Sequence, residues 1–241
     1  MHIALFAILL PVLLGLALAL DDMSVSVSIS REKVKLKLAN GQVLVGNRKK
    51  VQLKNAVSQN STTQVIYEFL GVPFAQPPLA DKRFQFPYRL GSVLPDNVYD
   101  ATYQRPACMQ EIDTAFTGLR DADMWNTPGS NVDENCLYFN LWVPVSPDQD
   151  AYLYTQQTLG NLANSSNIVY NGSVFKSTPL KASMLWIYGS SFSGGTANLA
   201  VYDGTVLAAL ESVIVVGTNY RVGPLGCMYL NSAGAPGNAG L

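Results

Sequence analysis

The sequence predicts an α/β domain in which antiparallel N-terminal strands lead into a mixed, mostly parallel sheet. Three stretches carry that prediction. Residues 23–58 alternate apolar and polar side chains around Asn40-Gly41, a dipeptide that favours a hairpin turn because both residues tolerate positive φ. Two later apolar runs, 184–188 and 213–220, are too short for core helices and read as buried strands, the second rich in β-branched residues. Between them, 192–210 is long enough for the crossover that parallel neighbours require, so the two runs are expected to pair in parallel within one sheet.

Residues 1–20 are apolar and contain Ala17-Leu18-Ala19, the small-x-small pattern of a signal-peptidase site. A signal peptide over 1–19 is expected, and with it a secreted, extracellular protein. Its n-region has no Lys or Arg, and an uncleaved anchor is the alternative. No later stretch is apolar for long enough to span a membrane. Three sequons, at Asn60, Asn164 and Asn171, agree with the secretory route and are expected to carry N-glycans. In that oxidising compartment Cys108 and Cys136 can pair, leaving Cys227 over. Cys227 sits in the apolar run 225–230 and reads as a buried small hydrophobe rather than a reactive thiol. A formal net charge of -1 and the lack of a polybasic face exclude a nucleic-acid partner. No cofactor and no metal is expected.

In chain order, strands are expected at 24–30, 34–38 and 43–45. The proline-rich run 69–78 reads as an extended connector, since proline fixes φ and restricts the residue before it. Residues 146–182 are rich in Asn, Ser and Tyr and carry two of the sequons, which predicts a solvated, glycosylated surface insertion. Strand 184–188 empties into Gly189-Ser190-Ser191, and residues 207–210 suit a turn or two of helix. Ligands of open α/β sheets bind beyond the carboxyl ends of parallel strands, where small-residue loops leave backbone N–H groups able to face a developing oxyanion. Taken alone, such a stretch is also what an ordinary strand-to-loop turn looks like.

The runs FLGVPFAQPP (69–78), Arg83-Phe84, DENCLYFNLWVP (133–144), WIYG (186–189), VYDG (201–204), NYRVG (219–223) and APGNAGL (235–241) together resemble the cholinesterase and type B carboxylesterase family, in the family's own order. ACMQ (107–110) and DMWN (123–126) are more similar to cholinesterases than to general carboxylesterases. The resemblance implies an α/β-hydrolase fold, of which residues 20–241 are the N-terminal portion, and serine-dependent hydrolysis of a small ester. It further implies that the Cys108–Cys136 loop walls an active-site gorge. Trp125 would receive a choline ammonium over its indole face, Asp113 would steer cations at the gorge mouth, and Tyr202 would line the gorge. Arg83 and Glu134 would form a buried bidentate pair at the base of that loop. Read from the residues alone, Trp125 and Tyr202 are packing aromatics and Asp113, Arg83 and Glu134 are surface charges. By the same resemblance Gly189, Ser190 and Ser191 form the oxyanion loop, although active relatives carry a glycine run there. Ser193 stands where cholinesterases have an aromatic.

No G-x-S-x-G elbow occurs in the sequence, and its one histidine is His2. Without an imidazole no base takes the proton of a serine. The expectation is therefore a stretch of a longer family member whose nucleophile and histidine lie beyond Leu241, inactive by itself. The alternative is a catalytically silent, neuroligin-like adhesion protein with a cell-surface protein partner.

Overall fold

The computed structural model describes residues 23–38, 41–55, 60–91, 97–111, 127, 131–146, 150, 181–189 and 191–240. The expected signal peptide, most of the expected insertion, and Asn164, Asn171, Asp113, Trp125 and Ser190 lie outside these. Strand β1 (Met23–Lys37) and strand β2 (Val43–Asn55) form the hairpin that Asn40-Gly41 predicts. Gly41 takes φ 88°, and the bonds from Leu38 N to Gln42 O and from Gly41 N to Leu38 O close the turn. A register shift between Ile29 and Lys33 joins two expected strands into one. Strand β3 (Ser61–Pro73) follows, then β4 (Val98–Asp100), β5 (Ala107–Cys108), β6 (Val132–Asp133), β7 (Tyr138–Val145), β8 (Ser183–Ile187) and β9 (Ile214–Thr218). The main sheet runs β1-β2-β3-β7-β9-β8, with β4 paired to β2.

The two faces of this sheet bury different cores, because side chains alternate along each strand. One face gathers Val34, Leu44, Val65, Tyr67, Phe69, Val72 and Val145. The other gathers Val51, Leu53, Ile66, Trp142 and Val215 against Ala208 and Ala209 of helix α1 (Thr205–Glu211). Close approach of helix and sheet depends on Gly204, where a Cβ would stand 2.7 Å from Trp142 Cε3. After β9 come a short helix α2 (Gly223–Cys227) and the small hairpin β10 (Tyr229–Ser232) and β11 (Ala235–Pro236).

Strands β8 and β9 pair in parallel, from Ser183 opposite Ile214 to Ile187 opposite Thr218, as the sequence predicts. Four expectations need correction. Among the described residues the sheet is predominantly antiparallel rather than mostly parallel; only β8–β9 and β2–β4 pair in parallel in it. Short links between β1, β2 and β3 permit nothing else. Residues 184–187 form a strand but not a buried one: β8 is at the edge of the described sheet, and Leu185 and Ile187 are 61% and 56% exposed. Cys227, at the C-terminal end of α2, is exposed rather than buried. Asp150, inside the stretch read as solvated, is buried: Arg48 Nε donates to its Oδ1 at 2.8 Å, Arg48 also pairs with Oδ2, and Tyr67 Oη donates at 3.0 Å. A carboxylate with that many donors tolerates burial. No described helix is long and apolar enough to cross a membrane.

Candidate active-site loop

Where β8 ends, Tyr188 turns inward and is buried, while Gly189 is exposed. The rings of Tyr188 and Tyr220 stack at 4.6 Å. Tyr188 Oη donates to Tyr220 O at 3.3 Å and Tyr220 Oη to Tyr188 O at 2.9 Å, so the carboxyl ends of the two parallel strands are tied to each other. Burial pushes both phenols above their ordinary pKa, so they stay neutral donors well beyond physiological pH.

Beyond Gly189 the chain turns back sharply. Ser191 and Phe192 take φ 51° and 60°, left-handed conformations that L-residues adopt at a cost. A Cβ at Gly189 would meet nothing within 4 Å, so the space over this backbone is open. The far end of the loop is held firmly. Gly223 N donates to Phe192 O at 2.6 Å. Gly195 N donates to Gln110 Oε1 at 2.7 Å, and Gln110 Nε2 donates to Gly195 O at 2.9 Å. Asn219 Oδ1 accepts from Thr196 Oγ1 at 3.1 Å and from Ala197 N at 2.9 Å, and Asn140 Nδ2 donates to Ala197 O at 3.3 Å. An exposed, tightly turned loop with pinned ends is suited to presenting backbone N–H groups to an oxyanion.

Alongside it runs the base of a second loop. Cys108 and Cys136 are bonded, with Cα atoms 4.8 Å apart, inside the range a disulfide requires. Strands β5 and β6 pair in parallel beside this bond. Both cysteines pack with Tyr188, Ala197, Tyr220 and Val222, and Tyr202 lies against the same cluster. Arg83 Nε donates to Glu134 Oε2 at 2.6 Å and a second bond links Arg83 Nη2 to Oε1, the bidentate geometry. The pair is not buried as expected, since the Arg83 side chain is 49% exposed. The Arg83 hydrogen bond nevertheless holds the Glu134 carboxyl below its ordinary pKa. A cleft lined by Arg83, Glu134, both cysteines, Arg221 and Leu225 lies beside this pair and does not reach Gly189, Ser191 or Tyr202. Tyr202 is half-buried with its ring 5.2 Å from that of Trp186. Asn60 is exposed at the start of β3. No described cluster of three or more His, Cys, Asp or Glu is disposed to hold a metal.

The sequence matches the carboxylesterase family over residues 34–241. The chain belongs to that family. It is 41% identical over 174 residues to the cholinesterase of Mus musculus, and 39% identical over 177 and 175 residues to the acetylcholinesterases of Electrophorus electricus and Bungarus fasciatus. These alignments take in 72%, 73% and 72% of the chain and 23% of each relative. It is thus a cholinesterase-like type B carboxylesterase sequence that spans about a quarter of the relatives it matches.

Several residues that hold these loops carry little signal in the sequence. Gln110, Asn140 and Asn219 lie within the motifs quoted above, yet nothing in their spacing tells that their side chains converge on residues 195–198. Lys49 lies in a charged run that reads as solvated. Its Nζ pairs with Glu68 and reaches Asp203 Oδ2 at 3.2 Å and Thr205 Oγ1 at 3.1 Å, anchoring the turn that bears Tyr202.

Proposed function

We propose that this chain is part of a secreted, cholinesterase-like serine ester hydrolase acting on carboxylic or choline esters, with residues 189–191 as its oxyanion loop. The observation that carries the reading is the position of the exposed residues Gly189 and Ser191 just beyond the carboxyl end of β8, beside β9, with Gly195 downstream bonded to Gln110 of the disulfide-closed segment. In this reading Trp125 and Asp113 attract and hold a quaternary ammonium, Tyr202 lines the same space, and the N–H groups of the oxyanion loop polarise the ester carbonyl. A serine adds to that carbonyl while a histidine takes its proton. The tetrahedral oxyanion forms against the loop donors and then collapses, the leaving alkoxide taking the proton from the histidine to depart as the alcohol; water, deprotonated by the same histidine, then attacks the acyl-serine and releases the carboxylic acid and the free serine. Neither an elbow serine nor a second histidine occurs in these 241 residues, and we place both elsewhere in the protein. The relatives named above are cholinesterases, which does not favour the adhesion reading.

The test is the protein extended with its downstream coding sequence, secreted from cultured cells and assayed on acetylthiocholine and an aryl acetate. Turnover abolished by a serine-directed organophosphate is the expected result, with no turnover by the 241-residue chain alone. An extended protein that neither turns over esters nor labels with a fluorophosphonate overturns the proposal.

A further inference from the structure

The geometry points to Gln110 as the positioning residue of the oxyanion loop, acting across the disulfide-closed loop on the Gly195 peptide; this rests on reading residues 189–191 as that loop. Gln110 lies two residues beyond Cys108, and its carboxamide is saturated. Nε2 donates to Cys108 O and to Gly195 O, both at 2.9 Å, while Oε1 accepts from Gly195 N at 2.7 Å and from Thr127 Oγ1 at 3.1 Å. A primary amide has two donors and room for two acceptor bonds, and all four are used. The network also settles which atom is which: the Gly195 N–H only donates and the two carbonyls only accept, so the opposite flip would leave like groups facing each other.

Binding both the N–H and the C=O of one residue copies a strand-pair contact. A single hydrogen bond leaves a peptide free to rock about it, whereas two opposed bonds fix position and tilt together. Gly195 needs that support, since it stands at φ 97° outside every strand of the described residues. Tyr188, held by Tyr220, fixes the chain immediately before residues 189–191, and Gly195, held by Gln110, fixes it four residues after them. Gly223 restrains Phe192 between them. Those anchors bound the stretch that carries the N–H groups of Gly189 and Ser191. Donors aimed at an oxyanion count in the transition state more than in the ground state, so loosening the Gly195 anchor lowers kcat and spares KM. Gln110 touches no reacting atom in this account.

Three variants of the full secreted protein test this. Gln110→Met keeps the length and loses every bond; Gln110→Glu keeps the acceptor for Gly195 N and Thr127 and loses both donors; Thr127→Val removes only the Thr127 Oγ1 bond to the amide oxygen. Amide hydrogen exchange followed by mass spectrometry on peptides covering 189–198 reads the anchor directly, without esterase activity. In Gln110→Met, exchange at Gly195 is expected to speed up by about tenfold or more while peptides of β3 and β7 are unchanged. Gln110→Glu, whose second carboxylate oxygen faces the carbonyls of Cys108 and Gly195, is expected to lose protection at Gly195 as well, and Thr127→Val shows a smaller increase. On an ester substrate Gln110→Met is expected to lose about tenfold in kcat with KM within about twofold. Unchanged exchange at Gly195 in a folded Gln110→Met protein overturns the anchor, as does a KM-dominated loss. Should Gln110→Met fail to fold, Gln110→Glu and Thr127→Val decide by the same exchange readout. Faster exchange in a protein that hydrolyses no ester at all leaves the anchor standing and sinks the esterase reading instead, so the two failures are separable.

Discussion

Ser191 shows how one residue reports on the site. At φ 51° a Cβ crowds the backbone, and glycine relieves a strain of about 1 kcal/mol at such a position. Ser191→Gly is expected to stabilise the protein by roughly that amount in urea denaturation, and no gain would show that the turn tolerates serine without cost. A second residue-scale feature lies beneath helix α1. Lys49 and Glu68 are both buried, and Glu68 also accepts from Trp142 Nε1 at 3.1 Å and Asn47 Nδ2 at 3.0 Å. Deleting one charge strands the other in low dielectric. Lys49→Met is therefore expected to cost about 3 to 5 kcal/mol, and adding Glu68→Gln to recover part of that loss, because it removes the stranded charge while the amide oxygen still accepts from Trp142 Nε1. Two independent, additive losses in a double-mutant cycle would refute the pairing. Asp150 links the same kind of burial to pH. Burial opposes its ionisation, yet the hydrogen bonds from Arg48 and Tyr67 and the charge of Arg48 outweigh it and lower its pKa. A carboxyl depressed in the folded state contributes stability that is complete well above the ordinary aspartate value of about 3.9 and is lost as pH falls through the lower folded value. Stability measured from pH 6 down to pH 2 is expected to fall less steeply in Asp150→Asn than in the parent.

At the scale of elements, the sequence is legible wherever local chemistry and tertiary environment agree. Asn40-Gly41 marks its hairpin because the turn demands positive φ whatever surrounds it, and the β8–β9 pairing follows from the length of the crossover between them. The full extent of β2 is not legible, because Arg48-Lys49-Lys50 reads as solvent-facing. In the fold Arg48 serves one face of the sheet and Lys49 the other, and each is buried against acids from distant segments. Central strand β3 hides for the opposite reason: residues 65–69 are buried on both faces, which erases the alternation that identifies a half-exposed strand. The burial of β8 fails for want of a neighbour. Its side chains are apolar, but among the described residues no strand pairs along its outer edge. An exposed apolar edge invites association, so Leu185→Lys is expected to shift the 241-residue chain toward monomer in light scattering at micromolar concentration. Equal association in parent and variant would place the sticky surface elsewhere.

For the molecule as a whole, the site is an agreement between distant parts of the chain, and that is why its outline could be read while its supports could not. The family motifs identify the loop at Gly189, the disulfide and the Arg83–Glu134 pair. The side chains that hold them together act across long separations, 85 residues for Gln110 and Gly195 and 22 for Asn219 and Ala197, and no local pattern encodes such contacts. The Cys108–Cys136 bond is the covalent form of the same device. Its cysteines are 28 positions apart, and closing a loop of that size removes enough freedom from the unfolded chain to contribute about 3 to 4 kcal/mol. It also fixes the start of the segment from which Gln110 reaches Gly195, so its two effects are distinguishable by experiment. In a Cys108→Ser, Cys136→Ser protein the global stability in urea is expected to drop by about 3 kcal/mol. Because the Gln110 amide still meets Gly195 in the folded state, exchange at Gly195 under native conditions is expected to rise less than in Gln110→Met. The reverse ordering, with strong local exchange and little global loss, would mean that the disulfide rather than the carboxamide sets the loop, and would move the positioning role from Gln110 to the crosslink.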